Sequence, residues 1–152
     1  GKLNSINESI CKCYYENGNI YFEGTFKNGE LHSINGSICK RYFKDEQIGD
    51  EGTFQNDQLH SINGSICKRY YENGYIYEEG TFKNGELHSI NGSICKVYFY
   101  ENCNICSEGT FKNGKIHSID GTICKGYYED GKIHKIGTFL DGELHSINDT
   151  VC

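Results

Sequence analysis

Three kinds of side chain that can be crosslinked, modified or metal-bound return in this chain at a nearly constant interval. Cysteine recurs at Cys11, Cys39, Cys67, Cys95, Cys124 and Cys152. Asparagine followed two residues later by Ser or Thr recurs at Asn7, Asn35, Asn63, Asn91 and Asn148. Histidine recurs at His32, His60, His88, His117 and His145. The three ladders suggest disulfide bonding, N-linked glycosylation and metal binding respectively.

Cysteine is abundant, with 9 residues in 152, which is typical of proteins from an oxidising compartment. Cys13, Cys103 and Cys106 lie outside the ladder. The Cys103 and Cys106 pair has the spacing of a redox motif or half a zinc site, but no helix is predicted after it and no second such pair exists, so we predict a structural crosslink. The disulfide or crosslink candidates are Cys11, Cys13, Cys39, Cys67, Cys95, Cys103, Cys106, Cys124 and Cys152.

The odd number of cysteines means that one thiol must stay free or bond its own copy across a twofold axis. We predict that disulfides between subunits form among the cysteines outside the regular ladder, which are Cys13, Cys103 and Cys106, and the terminal Cys152. The alternative for the ladder cysteines is that they are small buried apolar residues.

The asparagine ladder predicts N-glycosylation at Asn7, Asn35, Asn63, Asn91 and Asn148, with Asp120 interrupting the series. Each copy falls in a turn, which is where a bulky hydrophilic glycan is tolerated. The alternative is that the Asn-x-Ser/Thr pattern recurs because a turn sequence was copied by duplication. The retained Ser or Thr favours glycosylation, because a turn alone would not demand that hydroxyl.

The histidine ladder is not predicted to bind metal, because successive imidazoles in an array of hairpins lie too far apart to share one ion. No nucleophile elbow, P-loop, zinc-protease motif or recurring acid pair is present. We therefore predict no catalytic residues, no cofactor and no enzymatic activity.

A 28-residue repeat positions these ladders. The word Leu-His-Ser-Ile-Asn begins at Leu31, Leu59, Leu87 and Leu144, with one extra residue in the fourth unit. The chain is predicted to be a single array over residues 1–152. Its units are 3–30, 31–58, 59–86, 87–115 and 116–143, with a partial unit 144–152.

The composition predicts an all-β fold, since the chain has no Ala, Pro, Met or Trp but has 12 Tyr, 8 Phe and 19 Gly. Three Asn-Gly turns within one repeat length, at Asn73, Asn84 and Asn91, indicate three extended segments. The glycine before each Thr-Phe pair indicates a bulge or a close contact with the neighbouring strand. We predict that the Phe residues of these pairs form a stacked core with the isoleucines of the repeated word.

The string Gly80-Thr81-Phe82-Lys83-Asn84-Gly85-Glu86-Leu87-His88 resembles the MORN repeat, although Ser-Ile-Asn replaces the closing Gly-x-Gly of that family. The resemblance implies an elongated tandem array of β-hairpins in one twisted sheet, with scaffolding rather than catalysis as the usual role. A β-solenoid with a 28-residue coil is the alternative. Ladder cysteines would lie two strands apart in the hairpin array, beyond disulfide reach, and one strand apart in the solenoid.

The net charge of −6 and pI near 5.5 argue against nucleic acid and anionic membranes as partners, and no apolar run is long enough to span a membrane. A first residue other than Met is expected if a secretory leader has been removed. It is equally expected if the sequence is a fragment of a longer chain. We predict a secreted, extracellular, glycosylated structural protein, a filament, sheath or coat subunit.

The predicted partners are further copies of the chain, joined head to tail through strand edges and disulfides, and N-linked glycans. A monomeric binding module for a protein or glycan partner and an intracellular MORN-like scaffold are the alternatives.

Overall fold

The computed structural model describes residues 1–147, so the predictions at Asn148 and Cys152 lie outside the described residues. The regular elements within this range are all strands. The longer ones are β1 (Cys11–Tyr14), β2 (Ile20–Gly24), β5 (Cys39–Tyr42), β6 (Ile48–Gly52), β9 (Cys67–Tyr70), β10 (Ile76–Gly80), β13 (Cys95–Tyr98), β14 (Ile105–Gly109), β17 (Cys124–Tyr127), β18 (Ile133–Leu140) and β19 (Glu143–Ile147). The two-residue strands are β3 (Phe26–Lys27), β4 (Glu30–Leu31), β7 (Phe54–Gln55), β8 (Gln58–Leu59), β11 (Phe82–Lys83), β12 (Glu86–Leu87), β15 (Phe111–Lys112) and β16 (Lys115–Ile116).

The longer strands form one antiparallel sheet of 11 strands in the order β1-β2-β5-β6-β9-β10-β13-β14-β17-β18-β19. Each hairpin of the sheet therefore lies beside the hairpin of the next unit. Equivalent strands such as β5 and β9 are separated by a strand of opposite direction, β6. The predicted tandem hairpin array is confirmed, and the solenoid alternative is not what the chain adopts.

A second, shorter hairpin in each of the first four units forms its own two-stranded sheet, so the array is not one sheet throughout. The chain leaves the main sheet at a glycine such as Gly80, whose φ of 153° is open to glycine and strained for other residues. The last unit differs. There β18 continues past Gly137 as far as Leu140 and pairs with β19 in the main sheet.

The Asn-Gly turns have two geometries. In Asn84-Gly85 and Asn91-Gly92 both residues have positive φ, as the predicted two-residue turns require. At Asn73-Gly74 only the glycine does, because the connection between β9 and β10 is a five-residue loop. Its amide nitrogen at Tyr75 donates to Asn73 Oδ1 at 3.0 Å.

The predicted phenylalanine spine is confirmed as core, because Phe26, Phe54, Phe82, Phe111 and Phe139 are at most 5% exposed. Burying one such ring contributes about 1.5–3 kcal/mol.

The predicted isoleucine partners of the spine are wrong. In the first three short hairpins the core residue beside the ring is the leucine that faces it, as in the pair Phe82 and Leu87, and in the fourth Ile116 faces Phe111. Ile62 and Ile90 are only half-buried and Ile6 is 76% exposed.

Hydrogen bonds tie each short hairpin to the end of the short hairpin before it. Ser61 lies just after β8, and its N donates to Phe82 O at 2.8 Å, while Phe82 N donates to Ser61 Oγ at 2.8 Å. Gly85 N donates to Leu59 O at 2.8 Å. Because these backbone groups are satisfied by the adjacent short hairpin, successive hairpins complete one another.

Candidate functional site

The predicted glycosylation sites that the structure describes lie in exposed turns. Asn7, Asn35, Asn63 and Asn91 have φ between 51° and 53°, the left-handed conformation that asparagine tolerates better than most residues. Asn148 lies outside the described residues. The turns are accessible to a modifying enzyme, and glycosylation itself stays a prediction.

The hydroxyl two residues after Asn35, Asn63 and Asn91 has a structural role that sequence reasoning missed. Ile90 N donates to Ser93 Oγ at 3.1 Å, and Ser93 Oγ lies 2.6 Å from the hydroxyl of Thr81. Thr81 Oγ1 is fully buried and donates to His88 O at 2.7 Å, so Ser93 must supply the proton that joins the two hydroxyls. The fold therefore demands this hydroxyl.

The fifth unit separates the two explanations for the retained hydroxyl. Asp120 replaces asparagine there, yet Thr122 keeps the hydroxyl, and its Oγ1 donates to Ile119 O at 2.6 Å. The inference that a turn alone would not need the hydroxyl is therefore wrong. What remains in support of glycosylation is the exposure of the asparagines.

The ladder cysteines are packed into the core. Cys39, Cys67, Cys95 and Cys124 are fully buried free thiols, each beneath the glycine that precedes Thr-Phe in the unit before. The strand order puts ladder neighbours two strands apart, about 9–10 Å, which exceeds the reach of a disulfide. These four match the alternative of a small buried residue.

The other described cysteines are more accessible. Cys103 is exposed in the loop 99–104, while Cys11, Cys13 and Cys106 are half-buried free thiols. Burial raises the pKa of the Cys106 thiol, and burial followed by the nearby Cys11 raises the pKa of Cys13. A raised pKa lowers the thiolate fraction of Cys13 and Cys106. Cys103 is the most available for crosslinking because it is the exposed thiol among these four. Crosslinking stays a prediction, and Cys152 lies outside the described residues.

Three ladder histidines bind the backbone of a short turn. The imidazole Nδ1 of His60 accepts from Asn84 N at 3.3 Å, that of His88 from Asn113 N at 3.4 Å and that of His117 from Asp141 N at 3.2 Å. Each of these rings thus caps the turn of the hairpin that follows it. In residues 1–147 no group of three or more His, Cys, Asp or Glu side chains is placed to hold a metal ion.

The side of the main sheet that faces the short hairpins, here the inner face, carries a charged network. Asp50 accepts from Arg41 at 2.6 Å and from Arg69 at 3.0 Å, and Arg69 also donates to Glu78 at 3.0 Å. Asp50 is 4% exposed and Glu78 is 8% exposed. Burial raises the pKa of Glu78, and the Arg69 guanidinium opposes that rise. In the fourth unit Val97 and Ser107 face each other at the corresponding register.

The opposite side of the main sheet, the outer face, carries a ladder of alternating charge. Strand pairing places Lys40, Lys68 and Lys96 between two glutamates each, as with Lys68 between Glu51 and Glu79, and the end lysines Lys12 and Lys125 beside one. The ladder runs Lys12, Glu23, Lys40, Glu51, Lys68, Glu79, Lys96, Glu108 and Lys125. Opposite charges directly across strands stabilise a sheet by about 0.2–1 kcal/mol per pair.

Two rows of larger side chains flank the ladder, because alternate residues of a strand share a face. An isoleucine row precedes it and is solvent-exposed, with Ile66 at 51% and Ile94 at 48%. The row comprises Ile10, Ile38, Ile66, Ile94 and Ile123.

A tyrosine row follows the ladder and comprises Tyr14, Tyr42, Tyr70, Tyr98 and Tyr127. Tyr42 and Tyr98 donate to Glu23 at 2.8 Å and to Glu79 at 3.1 Å. Burial and these hydrogen bonds raise both tyrosine pKa values to about 12.

The hairpin loops form an acidic edge of the main sheet. The loops 15–19, 43–47, 71–75, 99–104 and 128–132 hold seven carboxylates and two lysines. Side chains join neighbouring loops, as where Tyr71 Oη donates to Tyr98 O at 2.9 Å. Open clefts lie beside three of these junctions, with volumes of about 420, 540 and 660 Å³. Tyrosines and carboxylates line each of them.

The described part of the chain holds no helix long and apolar enough to cross a membrane.

Comparison with known proteins identifies the repeats. The MORN repeat variant family matches residues 7–28, 65–84 and 122–141, and the MORN repeat family matches residues 108–118. Neither a curated protein nor a solved structure gives a match to the chain. Proteins built from MORN repeats are generally non-catalytic scaffolds, which supports a binding or scaffold role. These segments of the chain are therefore MORN-type repeats, and the resemblance read from the sequence is confirmed there.

Proposed function

We propose that this chain is a non-enzymatic structural protein whose copies assemble into an extracellular filament, sheath or coat. The observation that carries the proposal is the outer face, where the same isoleucine, charge and tyrosine rows recur from unit to unit of the sheet. A repeated face suits assembly or multivalent contact. Catalysis instead needs one singular constellation of groups.

The state of the buried acids supports a role without catalysis. Asp50 and Glu78 are both held by guanidinium groups, so each carboxylate has its charge compensated inside the fold. The network therefore serves to satisfy buried charge between units. It offers no uncommitted acid or base for proton transfer.

Head-to-tail assembly is proposed through the two end strands of the main sheet. Within residues 1–147, β1 pairs only with β2 and β19 only with β18. An unpaired strand edge is a template for another strand. A disulfide from Cys13, which lies on the end strand β1, would then strengthen such a contact.

Secretion and glycosylation are the finer parts of the proposal. They are supported by the exposed asparagine turns. The cysteine content gives weaker support than the count suggests, because four of the nine thiols are explained as small core residues.

Natural material tests the proposal directly. Electron microscopy should show filaments or sheets, and intact mass should fall on glycosidase treatment. Dispersed single particles at high concentration would reject assembly. An unmodified mass with assembly intact would favour the intracellular scaffold.

A monomeric binding module is the second candidate, favoured by the clefts of the acidic edge. The cleft lined by Tyr14, Tyr15, Glu16, Asn17 and Lys44 has about 540 Å³, within the usual range for ligand pockets. Tyrosine rings beside carboxylates suit basic side chains of a partner. A chain that stays monomeric yet binds a lysine-rich peptide, with binding lost in high salt, would favour this function.

A further inference from the structure

We infer that the outer face is an interface between two copies of the chain, packed face to face about a twofold axis that runs parallel to the strands. The inference rests on the proposed function as an assembling protein, and it names the surface and the partner.

The charge ladder is complementary to itself in one arrangement. A twofold axis parallel to the strands reverses the strand order of the second copy. When the axis passes midway between the strands of Lys68 and Glu79, each of the four glutamates faces a lysine of the other copy, and only Lys12 has no glutamate opposite it. An axis through a strand would place like charges together. The ladder therefore selects one set of registers.

The same axis aligns the flanking rows. Rotation about the strand direction leaves the position of a residue along the strand unchanged, so the isoleucine row of one copy meets the isoleucine row of the other. The tyrosine rows meet likewise. Ile66 and Ile94 already line a shared cleft with Lys96 and Glu79, and half of each isoleucine is available for burial. The apolar rows supply affinity, and the charges fix register.

The area of the face agrees with that of a stable dimer. The ladder crosses nine strands. At about 4.8 Å per strand and about 3.3 Å per residue over five residues, each copy offers about 700 Å². Two copies then bury about 1,400 Å², inside the standard range of about 1,200–2,000 Å² for specific complexes.

The asparagine turns leave room for this contact. Asn63 lies in the turn that comes before Ile66 and β9, at the margin of the face. Glycans on such turns would border the interface and limit further lateral packing.

Sedimentation equilibrium of the reduced full chain from a host that adds no N-glycans tests the inference. The wild type should form a dimer. Ile66→Glu with Ile94→Glu should raise the dimer dissociation constant about a hundredfold or more, because unpaired charges enter the contact. Ile6→Glu, at an exposed isoleucine outside the outer face, should leave the dimer unchanged.

Charge-reversed chains give a second, independent measurement. An acidic variant carries Lys40→Glu, Lys68→Glu and Lys96→Glu. A basic variant carries Glu51→Lys, Glu79→Lys and Glu108→Lys. Each alone should be monomeric, and their mixture should form a one-to-one heterodimer. Circular dichroism establishes that both are folded.

The outcomes separate this interface from assembly in general. Self-association that Ile66→Glu with Ile94→Glu leaves unchanged, or a mixture of charge variants that stays monomeric, would overturn the interface while the structural role stands. A wild type that is monomeric at every concentration would overturn both.

Discussion

Cys95 occupies the space that a side chain at Gly80 would need, since a β-carbon on Gly80 would lie 2.5 Å from Cys95 Sγ. A β-carbon on Gly24 would likewise lie 2.5 Å from Cys39 Sγ. The glycine and the cysteine lie on adjacent strands of neighbouring units, β10 and β13 in the case of Cys95. This contact explains why a small residue recurs at the cysteine position, and it couples one repeat to the next.

Gly80→Ala should destabilise the array through this contact. The new methyl group would clash with Cys95 and its backbone, and alanine is strained at a φ of 153°. We expect a loss of about 2–4 kcal/mol in the free energy of unfolding, measured by urea denaturation. Gly92→Ala is the matched control, with positive φ but no atom within 4 Å, and should cost about 1–2 kcal/mol. Equal losses would contradict the packing role of Gly80.

Ser65→Ala should destabilise the chain even when it carries no glycan. Ser65 Oγ accepts from Ile62 N at 3.1 Å and lies 2.6 Å from the buried hydroxyl of Thr53. Loss of these bonds should cost about 1–3 kcal/mol in protein from a host without N-glycosylation.

Asn63→Asp removes the same glycosylation signal and copies the Asp120 of the fifth unit. Its melting temperature should stay close to that of the wild type. If Asn63→Asp destabilised as much as Ser65→Ala, the assigned role of the hydroxyl would be wrong.

Arg69→Val should be strongly destabilising, and Glu78→Ser should rescue it. Removing the guanidinium leaves Glu78 buried without its partner, at an expected cost of about 3–5 kcal/mol. The double variant copies the Val97 and Ser107 pair of the fourth unit. In thermal unfolding the double variant should have a higher melting temperature than Arg69→Val. A melting temperature no higher than that of Arg69→Val would refute the pairing of Arg69 with Glu78.

High pH should weaken the fold through the tyrosine row. The pKa of Tyr42 is raised from near 10 to about 12, so the folded state holds a proton that the unfolded chain releases in that interval. The stability from this group is complete below pH 10 and is lost as pH rises towards 12. Melting temperatures of Tyr42→Phe should therefore fall less than those of the wild type across this interval.

Tyr14→Phe, at an exposed tyrosine of the same row, is the control for the pH series. It should retain the wild-type profile. Identical profiles for Tyr42→Phe and the wild type would show that the bond to Glu23 does not hold the proton.

Thiol labelling should divide the cysteines by burial. Cys103 should react first in the folded chain, followed by the half-buried Cys11, Cys13 and Cys106. Cys39, Cys67, Cys95 and Cys124 should react only on unfolding, and mass spectrometry of the labelled peptides reads out the order. Early labelling of the ladder thiols would contradict their burial.

The sequence by itself determined the repeat, the all-β class and the hairpins. These features are encoded over a few residues: an Asn-Gly pair imposes its turn, and alternation along a strand such as β9 assigns each residue to a face. The stacked phenylalanines followed from the period, because equivalent positions of an array must stack.

Only the tertiary structure decided what the reactive ladders do. Phe82 N meets Ser61 Oγ from the segment after the preceding short hairpin, and Thr53 meets Ser65 of the next unit. Such contacts depend on how hairpins dock, which local pattern does not encode. That docking turned the cysteines into core residues and gave the sequon hydroxyl a bond inside the fold. It also made leucine the partner of Phe26, Phe54 and Phe82, because the short hairpin turns the leucine towards the core and leaves the isoleucine of the repeated word half-buried beyond it.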